Sequence, residues 1–492
     1  MATVWSLIAD RALETPDLEM LVDEHGRSMT FRQFHDAAER TAAALLAYGI
    51  TPGSRVVWQL TTRIETLVVT AALCRLGAVQ VPVLPIYRGR ELAFVLGQTE
   101  AKHVLVAPRW RDIELAEVAA SAAADRGAQL RVLDGQLPEG DPATLPEPPA
   151  SDQEVRWIFY TSGTTADPKG AMHTDASAIA GGAGMATGLD ITADDRVGMV
   201  FPVAHIGGCA VWLTASLLSG CALVLTEYVE PHSVADLLRT HRVTIAGTGP
   251  AHHAMYVAAQ RSHPGAPYFP DVRLYTSGGA AKPPSHFAYI MTELGKPVHS
   301  SYGMTEAPIL TCTRAGDPEA VLAGSEGRAN AGVELRIVDG EVRVKGPQVM
   351  RGYLDSGLDA AAFDADGFLR TGDLGALDAQ GNLTITGRIK DVIIRKGETF
   401  SAREVEDLLI TSPEVADVAV IGLPHPVLGE QACACVVAAD PARPPTLESL
   451  TAHLAGHGLM KQKWPERLEL MQTLPRNLAG KVIKADLRDL VT

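Results

Sequence analysis

The 492-residue chain has little cysteine: six residues, none in a CxxC pair. So few thiols exclude a disulfide framework and a zinc ribbon, and they fit a reducing, cytoplasmic compartment. Positive charge is also short, with 43 Lys and Arg against 58 Asp and Glu and a formal charge of −15. An acidic surface repels polyanions, so nucleic acid and anionic membranes are not expected partners. Long apolar runs are missing as well. The longest stretch, from Leu67 to Leu84, is broken by Arg75, Gly77 and Pro82 and reads as buried helix and strand, with no transmembrane segment. The first residues lack a basic-then-apolar leader. No repeat of about 20 to 50 residues is visible, which argues against solenoids and propellers.

What remains is 46% apolar and 21% charged, a globular balance, and the length implies two unequal domains or about three. Trp5, Ile8, Ala9, Ala12 and Leu13 fall on one helical face. Thr30 and Gln33 form a capping box for a helix that buries Phe34, Ala38, Ala42 and Leu45. Short runs such as Arg55 to Trp58, Gln80 to Val83 and His103 to Val106 alternate with helical patterns, which predicts α/β layers with parallel strands. Residues Leu137 to Asp152, crowded with Pro, Glu and Asp, read as a surface loop. Beyond them, Val333, Leu335 and Ile337, the turn Asp339-Gly340, then Val342 and Val344 read as an antiparallel hairpin. After Gly387 a second capping box, Ser401 with Glu404, opens a helix, and strands follow near 415–421 and 432–437. The last hundred residues thus form a small α+β domain. The expected boundary divides 1–389 from 390–492.

The most telling segment follows the apolar strand Val155 to Tyr160. Thr161, Ser162, Gly163, Thr164 and Thr165 lead through Ala166, Asp167 and Pro168 to Lys169 and Gly170. Hydroxyls, glycines and one mobile cation suit a polyphosphate. A Walker A loop would have Lys after the second Gly, followed by Ser or Thr; here Lys169 precedes Gly170, which excludes a P-loop NTPase. Further on stand Ser277-Gly278-Gly279-Ala280-Ala281, Ser301-Tyr302-Gly303-Met304-Thr305-Glu306, Arg370-Thr371-Gly372-Asp373, Gly387-Arg388 and Pro475 to Lys481. Tyr302 offers a flat face for stacking, and Gly278 and Gly279 allow close backbone approach. Asp373 has two acceptor oxygens for hydroxyls, Arg388 is a donor, and Glu306 can offer oxygen to a hard cation.

In this order the segments resemble the adenylate-forming acyl- and aryl-CoA synthetases over nearly the whole chain. The resemblance implies a large N-terminal adenylate-forming domain of layered α/β subdomains with a β-rich part, and a small mobile C-terminal domain. It implies ATP, Mg²⁺ and CoA, and a two-step reaction: a carboxylate attacks the α-phosphate to give an acyl-adenylate, then a thiol displaces AMP. By the same resemblance Thr161 to Thr165, Lys169, Gly278 to Ala280 and Ser301 to Glu306 bind the nucleotide, with Asp373 and Arg388 on the ribose. Lys481 is then the catalytic lysine, with Lys169 and His205 beside the reaction. Lys390 is the hinge, and Lys396, Gly397 and Glu398 border the thiol channel.

The segment Phe201 to Cys209 resembles the carboxylate end of the family's acyl pocket. It contains no Asp to hold an ammonium, which disfavours amino acids. Small residues, Gly207, Gly208, Ala280, Gly303 and Ala307, leave room for an apolar, bulky or alicyclic acid. Three positions depart from the family pattern: Ala166, Thr399 and Asn477. Two alternatives stay open at this point. An acyl-AMP ligase would load a free-standing carrier protein, none being fused after Lys481; a non-catalytic nucleotide-binding regulator would be expected to lack Lys169, Glu306 or Lys481, and all three are present. The sequence leaves open a homodimer as well as a monomer.

Overall fold

The computed structural model describes residues 2–161, 168–279, 284–395, 398–425, 429–477 and 480–491. The Thr30 hydroxyl accepts from the Gln33 N–H and the Gln33 side chain accepts from the Thr30 N–H, so the helix Phe31–Ala47 starts where the capping box requires. Phe34, Ala38, Ala42 and Leu45 are buried along it. They join a core shared with a sheet whose described strands run in the order Gly352–Tyr353, Lys169–Thr174, Val155–Thr161, Val79–Pro82, Arg55–Gln59, His103–Val106 and Gln129–Val132. From Val155–Thr161 to Gln129–Val132 the pairs are parallel, and Lys169–Thr174 turns back antiparallel. The loop around 137–152 lies on the outside with one short 3₁₀ turn, Pro142–Thr144. It is held closely: the Gly140 N–H donates to the Arg40 carbonyl at 2.9 Å, and a Cβ at Gly140 would sit 2.6 Å from the Ala44 nitrogen.

A second sheet is built from Ala307–Cys312, Val298–Met304, Leu274–Ser277, Ile245–Thr248, Arg196–Met199, Ala222–Leu225 and Glu19–Asp23, with short antiparallel strands at both edges. Helices between the two sheets bury one continuous core that includes Trp58, Leu67, Trp157 and Leu213. Asp175 fastens the layers. Its carboxylate accepts from the Val4 N–H at 3.0 Å and from the Trp157 indole at 3.1 Å.

Antiparallel strands Glu334–Val338, Glu341–Lys345, Leu369–Leu377 and Leu383–Arg388 make the β-rich part. Asp339 and Gly340 turn its first hairpin with φ of 52° and 81°, the pair of left-handed residues a type I′ turn needs. The C-terminal sheet joins Val392–Arg395, Glu398–Ser401, Val415–His425, Gly429–Ala438 and Arg467–Met471. Val405, Leu409, Leu450 and Leu454 cover one face; Leu487 and Val491 cover the other. The expected Ser401–Glu404 capping box is corrected: the Ser401 hydroxyl accepts from the Arg403 N–H, while the Glu404 carboxylate binds Lys463 at 2.7 Å. That tertiary ion pair outcompetes the local cap. Among the described residues no helix is long and apolar enough to cross a membrane, and all six cysteines are free and buried.

Candidate active site

Asp373 stands directly opposite Arg388 in the antiparallel pair Leu369–Leu377 and Leu383–Arg388. The register therefore fixes an ion pair, with Arg388 Nε 2.7 Å from Asp373 Oδ1. The other oxygen, Oδ2, accepts from the Tyr302 hydroxyl at 2.8 Å. Tyr302 comes from the end of the second sheet, so this contact ties that sheet to the β-rich part. Burial and the adjacent Asp373 raise the Tyr302 phenol well above its ordinary range, which keeps it a neutral donor. A carboxylate has about four lone-pair positions, so Asp373 can hold both partners and still accept from a sugar hydroxyl.

Lys481 joins this group from the C-terminal part. Burial, then the neighbouring Arg388, lowers its pKa from 10.5 to about 8, while Asp373 and Asp391 pull it back up. Those neighbours are the Asp373–Arg388 pair itself. Asn477, one of the departures from the family pattern, shapes the approach: its side-chain oxygen accepts from the Lys481 N–H at 2.9 Å, and its own N–H donates to the Lys481 carbonyl at 2.9 Å. The sequence signalled Asn477 only as an oddity.

A second group forms around the turn Thr305-Glu306. Glu306 is buried, and its Oε1 accepts from the Tyr353 hydroxyl at 2.8 Å. Its Oε2 has no partner among the described residues. A carboxylate oxygen left open on a buried residue is a fitting donor for a hard cation such as Mg²⁺. Lys169 enters from the first sheet with its Nζ 5.3 Å from the centre of the Tyr353 ring. The Thr305 carbonyl is held by His173 Nε2 at 2.8 Å, whose Nδ1 lies 3.0 Å from the Ser177 hydroxyl. Tyr353 and His173 escaped the sequence reading because neither stands in a recognisable string.

His205 lies where the two sheets meet. It lines a narrow cavity of about 20 Å³ with Tyr87, Phe159, Tyr160, Ile206 and Thr305. Its ring keeps an exposed edge yet is enclosed on the remaining sides, and this enclosure lowers its pKa to about 4. The open edge moderates the size of that fall and leaves its direction. Nδ1 accepts from the Gly207 N–H at 3.0 Å, so a neutral ring carries its proton on Nε2.

The glycines expected to line the acyl space are closely packed on the side where a Cβ would stand. A Cβ on Gly208 would lie 2.7 Å from Val203 Cα and O, and one on Gly303 would lie 2.4 Å from the Ile309 nitrogen. Both glycines permit backbone packing. At Gly207 the Cβ would meet His205 Nδ1 at 3.1 Å, so this glycine makes room for the imidazole. Ala307 is fully buried in the core with Val342, Val344 and Tyr353. Gly278 approaches the neighbouring strand so closely that a Cβ would be 2.9 Å from the Ser301 hydroxyl; Gly279 has φ of 73°. Met304 pairs with Ala307 across the turn. Thr161 ends its strand opposite Lys169. Ser162, Gly163, Thr164, Thr165, Ala166, Ala280, Lys396 and Gly397 lie outside the described residues, as do the side chains of Glu398 and Thr399.

Asp373, Arg388, Tyr302 and Lys481 thus stand in one group, and Glu306, Tyr353 and Lys169 in another. The AMP-binding enzyme family matches residues 8–354, and the AMP-binding enzyme C-terminal domain matches 404–481. The chain belongs to this family of adenylate-forming acid–thiol ligases, which use ATP with Mg²⁺ and CoA as co-substrate. It is 32% identical to the medium-chain fatty-acid–CoA ligase of Escherichia coli, covering 99% of this chain and 90% of that one. Two relatives come from Mycobacterium tuberculosis. The 3-[(3aS,4S,7aS)-7a-methyl-1,5-dioxo-octahydro-1H-inden-4-yl]propanoyl:CoA ligase is 34% identical over 97% of this chain and 96% of its own, and the salicyl-AMP ligase / salicyl-S-ArCP synthetase is 31% identical over 98% and 89%. The crystal structure of ATP-bound MatB from Rhodopseudomonas palustris superposes with a TM-score of 0.88 at 27% identity, covering 99% of both chains.

Proposed function

We propose that the protein is an AMP-forming acyl-CoA synthetase acting in the cytoplasm on an apolar carboxylic acid, bulky or alicyclic. The observation that carries this reading is the contact of Asp373 with both Arg388 and Tyr302, with Lys481 near enough for Arg388 and Asp373 to shift its titration. Relatives named for a medium-chain fatty acid and for a methyl-dioxo-octahydroindenyl propanoate support an apolar, ring-bearing substrate.

In this reading Asp373 and Arg388 grip the ribose, Tyr302 flanks the purine, and Gly278 and Gly279 let backbone come close to it. Lys169 meets the polyphosphate and Thr161 opens the loop around it. Glu306 would hold Mg²⁺, which supplies charge neutralisation on the phosphates when bound. Lys481, still mostly protonated at neutral pH, stands between carboxylate and α-phosphate and offsets the charge of two anions brought together. Neutral His205 can donate from Nε2 toward the acid. The 390–492 part would then turn about Lys390, in the exposed turn Ile389–Asp391, to bring the thiol channel into place.

A second reading is favoured by the relative named as a salicyl-S-ArCP synthetase: transfer to a carrier protein instead of CoA. A screen of pyrophosphate release over carboxylic acids, with CoA and carrier protein as alternative acceptors, tests both. The expected result is ATP-dependent activation of apolar acids and thioester formation on CoA. Thioester formed only on carrier protein would replace the first reading with the second, and no pyrophosphate release with any acid would reject both.

A further inference from the structure

Tyr353 sits between two groups of opposite charge. Its hydroxyl donates to Glu306 Oε1 at 2.8 Å, and its ring faces the Lys169 ammonium with Nζ 5.3 Å from the centroid. No ion pair joins Lys169 to Glu306 among the described residues. The tyrosine is itself fixed on all sides. The strand Gly352–Tyr353 pairs with Ala171 and Met172, the Leu354 N–H donates to the Gly170 carbonyl at 2.8 Å, and the Tyr353 N–H donates to Asp359 Oδ1 at 2.8 Å. The strand that carries Tyr353 is therefore hydrogen-bonded to the strand that begins with Lys169. Glu306 is anchored separately by the Met350 N–H, which donates to its carbonyl at 2.8 Å.

We propose that Tyr353 is a positioning residue for ATP activation: its hydroxyl fixes the Glu306 carboxylate with Oε2 presented outward, and its ring keeps Lys169 from pairing with that carboxylate. The physical need is plain. A direct Lys169–Glu306 pair would consume both the cation meant for phosphate and the anion meant for Mg²⁺, and nucleotide binding would first have to break it. A ring face holds an ammonium weakly, so the lysine remains available. A phenol also donates a single hydrogen bond and leaves the second carboxylate oxygen unclaimed.

This inference rests on the reading of Lys169 and Glu306 as nucleotide-site residues, and the experiment separates the two. Calorimetry measures the Kd for ATP in EDTA and at increasing Mg²⁺, without acid, so that no turnover occurs. Tyr353→Phe keeps the ring and loses the hydroxyl; it should leave the ATP Kd in EDTA unchanged and raise the Mg²⁺ concentration for half-saturation about tenfold, the scale of a lost hydrogen bond to a charged group. Tyr353→Leu should in addition weaken ATP binding in EDTA, because Lys169 then closes on Glu306. The double variant Tyr353→Leu/Glu306→Gln should recover that EDTA affinity, since the neutral amide offers no charge to pair with.

Recovery in the double variant is a readout that general damage to the fold does not give. Affinity as poor as in Tyr353→Leu, or a Tyr353→Phe protein with wild-type Mg²⁺ dependence, would overturn the proposal. If Tyr353→Leu does not fold, the Tyr353→Phe titration decides alone. Lys169→Ala and Glu306→Gln as single variants without effect on ATP or Mg²⁺ would instead overturn the underlying assignment.

Discussion

Lys481 is the residue whose chemistry responds most directly to pH. Its pKa near 8 means that the ammonium is lost as pH rises through about 8, well below the 10.5 of a free lysine. Only the protonated form offsets the two anions, so adenylate formation should decline on the alkaline side with a midpoint near 8. Pyrophosphate release against pH tests this. In Lys481→Arg the guanidinium stays charged, and the alkaline decline should move upward. Lys481→Ala should lose about 10²–10³ in the first half-reaction, on the order of 3–4 kcal/mol, and leave thioester formation from supplied acyl-adenylate largely intact. Equal loss in both steps would contradict the role given to this lysine.

At the scale of elements, the turn from Phe201 to Cys209 holds a glycine pair with two different neighbours. Gly208→Ala would push a methyl into the Val203 backbone and should destabilise the fold by about 1–3 kcal/mol, seen as a lower melting temperature. Gly207→Phe should displace the His205 ring, so that short and alicyclic acids lose kcat/KM together. A loss confined to bulky acids would restore the view of Gly207 as pocket lining. The Ile389–Asp391 turn calls for a different measurement. Lys390→Pro fixes φ near −65° and should preserve pyrophosphate release while thioester output falls. Unaltered thioester turnover would count against a hinge there.

Over the whole molecule, several imidazoles are kept neutral by burial. His173 falls to about 4, and His252 is also lowered. An unfolded chain protonates these groups near 6.5, so it gains protons that the folded state refuses. Their contribution to stability is complete above pH 6.5 and is lost as pH falls from 6.5 toward 4. For fully buried His173 that gap corresponds to about 3 kcal/mol. Melting temperature should therefore drop over this window, and His173→Gln, which has no such proton to gain, should show a shallower drop. A slope unchanged by the substitution would assign acid sensitivity to other groups.

The sequence by itself determined whatever depends on local pattern. The Thr30–Gln33 cap, the alternation of short β-branched runs with helices, and the Asp339-Gly340 hairpin follow from periods and turn residues acting over a few positions. That Tyr302, Asp373, Arg388 and Lys481 stand in strings of a recognisable order was also legible. Only the tertiary structure decided how they use their atoms. Asp373 meets Arg388 through strand register and Tyr302 through contact between two sheets, while Lys481 reaches them across more than ninety residues of chain. The same distance dependence sets what local pattern leaves out. A glycine in a sequence announces a missing side chain but not what fills the space, and at Gly208 and Gly303 a neighbouring backbone fills it. Ser401 and Glu404 have the spacing of a capping box, yet Lys463, nearly sixty residues on, claims the carboxylate. Tyr353 and His173 carry no local mark at all, since hydrogen bonds to a distant carboxylate and a distant carbonyl exist only once the sheets have packed.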